Sequence, residues 1–305
     1  MRYLYTTLGK LPADRLGMIL PHEHVFVDLR TPDQPGYAEA ETESVVSLMV
    51  PQIEAIKALG VTALVECSTG GVGRRADLDL AVSIAANFPI VVPTGIYREP
   101  WIPTWVRDAS QEALYQWMVD ELDTEIEATG FRAGWIKISA GDDGITPLET
   151  RILRAATQAS KKTGALIGSH TIRASVVMDQ LDIIEEEGGS PERFLSIHTH
   201  AEPDFALHKA IVARGAWIEY DNIGAVPVEE SAALIMRALD AGLVNHLLVS
   251  HDRGWYDPAQ PNGGVPKPYT VVNTELLPLL KRSGVTSDTV VQLFHKNPFA
   301  AFSRW

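Results

Sequence analysis

The chain has 305 residues, a length that α/β barrels of about 200 to over 400 residues reach as one folding unit. Hydrophobic residues make up 46% and charged residues 21%, which excludes disordered and fibrous classes. Acids outnumber bases 39 to 26, for a formal charge of −13; such a surface repels phosphate backbones and anionic lipid, so neither nucleic acid nor a membrane is an expected partner.

The lone cysteine, Cys67, excludes an intrachain disulfide and suits a reducing compartment. No stretch approaches ~18 apolar residues. Lys10, Asp14 and Arg15 interrupt the first twenty residues, so no signal peptide is expected and the protein reads as cytoplasmic.

In chain order, short apolar runs alternate with helical patterns. The first run spans 17–27. A helix is predicted over 42–59 from Val45, Val46, Met49, Ile53 and Ile56, with Gly60 as its stop. Runs at 61–67 and 90–97 follow, then a helix over 109–128 closed by Gly130. After the run at 133–139, Pro147 opens a helix over 148–162, which Gly164 follows. Runs at 165–170, 194–198, 216–220 and 246–252 are interleaved with helices over 205–213, 229–241 and 270–281. The turn-rich segment 257–267 predicts a long mobile loop after the eighth run.

Uninterrupted apolar runs suit strands covered on both faces. Eight of them, each followed by helical sequence, predict a single-domain (β/α)8 TIM barrel over residues 1–305. A doubly wound open sheet would need a glycine-rich phosphate loop after the first strand, and PHEHV is not one.

Six of the nine histidines (His22, His24, His170, His198, His200 and His251) fall at the C-terminal ends of these runs. In a barrel that rim is the active-site face. His22 and His24, at i and i+2, share a strand face and can reach one cation. Lys137, flanked by Trp135, Ile136 and Ile138, is costly to bury unless its charge is removed. Reaction with CO2 to a carbamate is one route, and snorkelling to a carboxylate is the other. His170 and His198 end the fifth and sixth runs. His200 shares a nominal face with His198, but the chain should already be turning there. Asp252 ends the eighth run, and its neighbour His251 points to the opposite face and reads as structural. His22, His24, Lys137, His170, His198 and Asp252 together supply ligands for two divalent ions. Nitrogen and oxygen donors without thiolate suit zinc, cobalt or manganese.

The pattern resembles the binuclear branch of the amidohydrolase superfamily, and more closely the phosphotriesterase family with its lactonase-like members. The resemblance rests on GMILPHEHV at 17–25, TGIY at 94–97, WIKIS at 135–139, VSHD at 249–252 and NPFAAFS at 297–303. It implies that His22, His24 and Asp252 hold the more buried ion, His170 and His198 the more exposed one, and carboxylated Lys137 bridges them. It also implies a homodimer. Two departures concern the outer proton relay. Asn222 occupies the relay histidine position after the seventh strand, where lactonase-like members commonly have arginine. Ala201 takes the acidic position of the loop after the sixth strand, with Glu202 and Asp204 displaced. Tyr97 matches the strand-three tyrosine of the lactonase-like group.

The expected activity is therefore metal-dependent hydrolysis of lactones or carboxylic esters, with weak promiscuous action on phosphotriesters. Asp252 is the expected catalytic acid/base. Candidate substrate contacts are Tyr97, Arg98, Trp101, Arg173, Asn222, Arg253, Trp255 and Tyr256, the aromatics as walls and the arginines as holders of a substrate carboxylate or phosphate. Rim ion pairs with Glu99, Asp257 or other acids are the competing reading of the arginines. An amide hydrolase or deaminase of the same superfamily, and a non-catalytic barrel that binds a small molecule, remain as alternatives.

Overall fold

A computed structural model describes residues 1–305. It opens with an antiparallel hairpin, β1 (Leu4–Thr6) and β2 (Gly9–Leu11). The barrel strands are β3 (Met18–Phe26), β4 (Val61–Glu66), β5 (Ile90–Val91) with β6 (Pro93–Thr94), β7 (Trp135–Ser139), β8 (Ile167–His170), β9 (Phe194–Ile197), β10 (Trp217–Tyr220) and β11 (Leu247–Val249). One parallel sheet runs β6-β7-β8-β9-β10-β11. A second runs β5-β4-β3 and gains a short strand, β12 (Gly254–Tyr256), beside β3. The chain itself joins the sheets at Val92. Between β11 and β3 the barrel closes through the Asp252 N–H on the His22 carbonyl at 3.1 Å and the His22 N–H on Ser250 Oγ at 3.1 Å.

Glu23 locks this closure. Its buried carboxylate accepts hydrogen bonds from Ser250 Oγ (2.8 Å) and from the backbone N–H groups of His251 and Arg253 (3.2 and 3.1 Å). It also meets His251 Nδ1, while His251 Nε2 accepts from the Val272 N–H at 2.9 Å. His251 therefore ties the eighth barrel strand to the helix behind it, in line with its structural reading.

Strand alternation sorts the core. Ile136 and Ile138 point outward into the layer packed under the helices, whereas Trp135 joins Ile19, Val65, Leu195, Ile197, Trp217, Leu248 and Phe302 inside the barrel. Lys137 shares the parity of Trp135 and so faces the lumen. Gly95 lets β7 come this close: its φ is +112°, and a Cβ there would stand 2.1 Å from the Lys137 carbonyl oxygen.

The helices are α1 (Thr42–Ala58), α2 (Ala76–Ala86), α3 (Thr104–Asp108), α4 (Gln111–Asp123), α5 (Pro147–Thr163), α6 (Ala174–Glu186), α7 (Phe205–Ala213), α8 (Val228–Asp240), α9 (Leu277–Arg282), α10 (Ser287–Val291) and α11 (Asn297–Phe302). Helix α5 carries a Thr146–Glu149 capping box, Pro147 in its first turn and Gly164 at φ +74° as its cap. The helix predicted over 109–128 ends early at Asp123, and the positive φ of Glu127 and Ala128 turns the chain towards Gly130. The helix predicted over 270–281 begins with a wide π turn, Val272–Leu276, immediately before Pro278, whose missing N–H breaks the regular ladder. Helices α2 and α6 lie outside the helical segments predicted from the sequence.

The loop predicted over 257–267 is pinned at its base. Gly254 and Lys267 exchange two backbone hydrogen bonds of 3.0 and 2.9 Å, and Pro261–Gly263 forms a 3-10 turn.

Candidate metal centre

Polar side chains from several barrel strands and from the loops that follow them gather towards one end of the lumen. His22, His24, Lys137, His170, His198 and Asp252 all line one cavity of about 140 Å³, with Tyr97, Trp255, Leu29, Val27, Val72 and Cys67 completing its wall. Residues separated by up to 230 positions thus converge on one small volume.

Inside it, His22 Nε2 lies 3.6 Å and His24 Nε2 3.0 Å from Asp252 Oδ1. These three side chains form one group whose ligand atoms are close enough to hold a cation. On the other side, His198 Nε2 and His170 Nδ1 approach to 2.7 Å. Lys137 is 2% exposed and forms no ion pair. An uncompensated ammonium in such a place is costly, and a carbamate would replace it with an oxygen-donor anion. The donor set is therefore nitrogen and oxygen only, two groups of converging lone pairs flanking one buried lysine, and it fits a pair of divalent ions.

The outer nitrogens of the imidazoles are held by residues that the sequence reading missed. His22 Nδ1 faces Glu219 Oε2 at 2.8 Å and Asp221 Oδ2 at 3.0 Å. His198 Nδ1 meets the same Asp221 oxygen at 2.9 Å. His24 Nδ1 meets Ser68 Oγ at 2.9 Å and Glu66 Oε1 at 3.4 Å. A carboxylate on Nδ1 fixes the proton there and leaves the Nε2 lone pair for a metal. His22, His198 and Asp221 also cluster closely enough to suggest an ion of their own. Their contacts, however, are direct hydrogen-bond distances on the Nδ1 side, so the carboxylate acts as a clamp. The signal that would have revealed it is Glu219 and Asp221, two acids at i and i+2 in an otherwise apolar strand.

Electrostatics follow from burial. His22 is lowered to about 3 by burial and by the charge of Lys137, so its ring is neutral. His170 is pushed well below its ordinary value by burial and by His198. Burial opposes protonation of His24 too, yet its bonds to Asp252 and Glu66 outweigh that and raise it to about 9. Burial would raise Asp252, but the surrounding imidazoles hold it below the usual carboxylate range. Glu219 is raised by burial and by the charge of Asp221.

The ends of the sixth and eighth strands owe their aim to unusual backbone. His198 (φ +61°) and Asp252 (φ +55°) are both left-handed non-glycine residues. His198 turns its ring to His170, while His200, one 3-10 turn on, meets Asp221 Oδ1 at 2.9 Å through Nδ1 and stays outside the inner cavity.

The substrate candidates divide. Tyr97 packs edge-on to His170 at 5.1 Å, and Trp255 edge-on to His24 at 6.0 Å, as opposite walls. Asn222 and Arg253 line an outer cleft of about 330 Å³ that shares His170, His198, Asp252 and Trp255 with the inner cavity. Four candidates lie elsewhere. Trp101 stands behind Tyr97, its indole N–H on the Leu29 carbonyl at 2.8 Å. Arg98 turns to the Ala140 carbonyl and to Asp142 at 3.5 Å, the rim ion pair of the competing reading. Arg173 precedes α6 as an exposed residue outside both spaces. Tyr256 is corrected to a core residue: it stacks on Phe26 at 5.7 Å because β12 pairs with β3 and turns that side chain inward.

Comparison with known proteins agrees with this geometry. A phosphotriesterase homology protein of Mycobacterium tuberculosis is 29% identical over 100% of this chain and 98% of its own. A phospho-furanose lactonase of Mycoplasmopsis synoviae is 24% identical over 97% of this chain and 90% of its own. A solved structure of a variant organophosphorus hydrolase from Deinococcus radiodurans superposes with a TM-score of 0.88 at 27% identity, covering 98% of this chain and 97% of that one. The barrel is therefore the (β/α)8 fold read from the sequence. The profile of the Phosphotriesterase family matches residues 2–302, and the chain belongs to that family of metal-dependent hydrolases.

Proposed function

We propose that this hydrolase opens lactones or carboxylic esters at a centre of two divalent cations, with zinc the first candidate and cobalt or manganese the others. His22, His24 and Asp252 would hold one ion, His170 and His198 the second, and Lys137, carboxylated by CO2, would bridge them. The observation that carries the reading is the convergence of all six side chains, with Tyr97 and Trp255, on one cavity. Bound cations at such a site polarise a carbonyl and make water nucleophilic at neutral pH.

The chain's own residues do the rest. Asp252, held ionised by its imidazole neighbours, accepts the proton of the attacking water and returns it to the leaving alkoxide. Tyr97 and Trp255 confine the substrate ring between them and, with Leu29, Val27 and Val72, keep bulk water from the reacting carbon. Asn222 in the outer cleft has no titrating group, so proton movement centres on Asp252. The lactonase name of one relative supports this choice. The organophosphorus hydrolase name of a structural neighbour supports weak phosphotriester turnover as a second activity of the same centre.

A deaminase of the wider superfamily would carry one ion and needs no lysine in the lumen. The test is metal content measured on the same sample that is screened against lactones, aryl esters, phosphotriesters and amides. Two ions per chain and lactone or ester turnover are expected, both lost on chelation or in Lys137→Ala. One ion per chain, or full activity in that variant, would overturn the two-metal account. Retained ligand without turnover on the whole panel would favour a binding barrel. A small-molecule substrate and a homodimer in the cytoplasm complete the proposal.

A further inference from the structure

We infer that the substrate carries an anionic group, which Arg253 and Lys267 bind at the outer end of the cleft; this rests on the hydrolytic reading of the metal centre. The outer cleft joins the metal-facing side chains of His170, His198 and Asp252 to both cations. A substrate whose carbonyl reaches the inner cavity therefore extends its far end past them.

Neither cation has a protein carboxylate within 4.0 Å, and Arg253 commits none of its guanidinium N–H groups to a hydrogen bond. The acids of the same cleft are already engaged: Asp221 by the Nδ1 atoms of His198, His200 and His22, and Asp252 by His24. Asp257, the nearest acid along the chain, turns its Oδ1 to the Ala259 N–H at 2.9 Å. In a chain of net charge −13, two uncompensated cations facing a substrate path provide a local counter-charge for an anion.

The positions are built rather than loose. The Arg253 backbone is clamped by its N–H on Glu23 Oε2 at 3.1 Å and by its carbonyl accepting the His24 N–H at 2.8 Å. Lys267 is paired through its backbone to Gly254. Gly254 has φ +99°, and a Cβ there would lie 2.1 Å from the His24 carbonyl oxygen, so only glycine permits the pairing. The Lys267 ammonium sits over the Trp255 ring at 3.8 Å, which narrows its rotamers before a ligand arrives. Trp255, at φ +72°, is the single ring between that ammonium and the metal-facing His24, and its buried indole Nε1 has no protein partner. A guanidinium fork and a point charge lining one cleft form a receptor for carboxylate or phosphate oxygens.

The experiment uses metal-loaded protein and three lactones of one ring size: neutral alkyl, terminal carboxylate and phosphate ester. The expected result is a higher kcat/KM for at least one anionic lactone than for the neutral one. Arg253→Gln and Lys267→Gln should each lower the anionic-to-neutral ratio about tenfold or more, and added salt should lower it further. The favoured anion tells a carboxylate substrate from a phosphorylated one. Wild-type ratios in both variants, or equal losses on charged and neutral substrates, would overturn the proposal. Should no lactone turn over, the hydrolytic reading fails by itself. The anion site is then decided by binding of the matching carboxylated and neutral lactams: an anionic preference reduced in the two variants supports it, and no preference in wild type overturns it.

Discussion

Replacing Asp221 by asparagine asks whether one buried carboxylate governs both halves of the metal centre. In the native chain the same Asp221 oxygen faces His22 Nδ1 at 3.0 Å and His198 Nδ1 at 2.9 Å. Both imidazoles therefore keep a proton on Nδ1 and a lone pair on Nε2. An amide of the same shape has one oxygen and one NH2. His198 Nδ1 and His200 Nδ1 also meet the other oxygen, Oδ1, at 3.0 and 2.9 Å, so the amide oxygen belongs there and the NH2, in place of the shared Oδ2, confronts the N–H of His22. His22 must then change tautomer and present an N–H where a cation needs a lone pair. Loss of such an orienting partner costs about 10–100-fold in metal affinity. The loss should fall mainly on one ion, and the mismatched N–H should also destabilise the metal-free fold by about 1–3 kcal/mol. Chelator competition, followed by metal content at each step, separates the two ions, and calorimetry of the metal-free protein reads the fold. If both ions leave Asp221→Asn at wild-type chelator concentrations, the clamp argument is wrong.

Glu23→Gln should lower stability by about 1–3 kcal/mol, because the amide oxygen can keep the Ser250 and His251 donors on one side while its NH2 confronts the Arg253 N–H on the other; a denaturant midpoint equal to wild type at unchanged m would refute this. A pH effect follows from His24, raised from 6.5 to about 9 in the metal-free protein. A raised folded-state value stabilises below the unfolded one and is lost as pH climbs through the folded one, so the metal-free protein loses this contribution between about 6.5 and 9. A metal must displace that proton. Apparent affinity should therefore rise about tenfold per pH unit up to about 9 and then level off, with proton release on uptake; pH-independent uptake would contradict it.

The linear sequence carried the barrel and the gathering of the six candidate ligands on one cavity because both are written in strand-length signals. Parity within WIKIS turns Lys137 towards the same interior as Trp135, and H-x-H places two rings on one face. It carried less of the rim. The positive φ at His198, Asp252 and Trp255 breaks strand alternation where the active face begins, so counting residues past the strand ends could not say which way Trp255 or Tyr256 points. Nor could counting show that Asp221 clamps rings from β3 and from the end of β9, or that Lys267 stands over Trp255. Those partnerships cross from one strand or loop to another. They depend on closure of the seam by Glu23 and on a backbone exchange that only Gly254 permits. Local periodicity sets which face a residue takes; distances between faces are decided only once the barrel has closed.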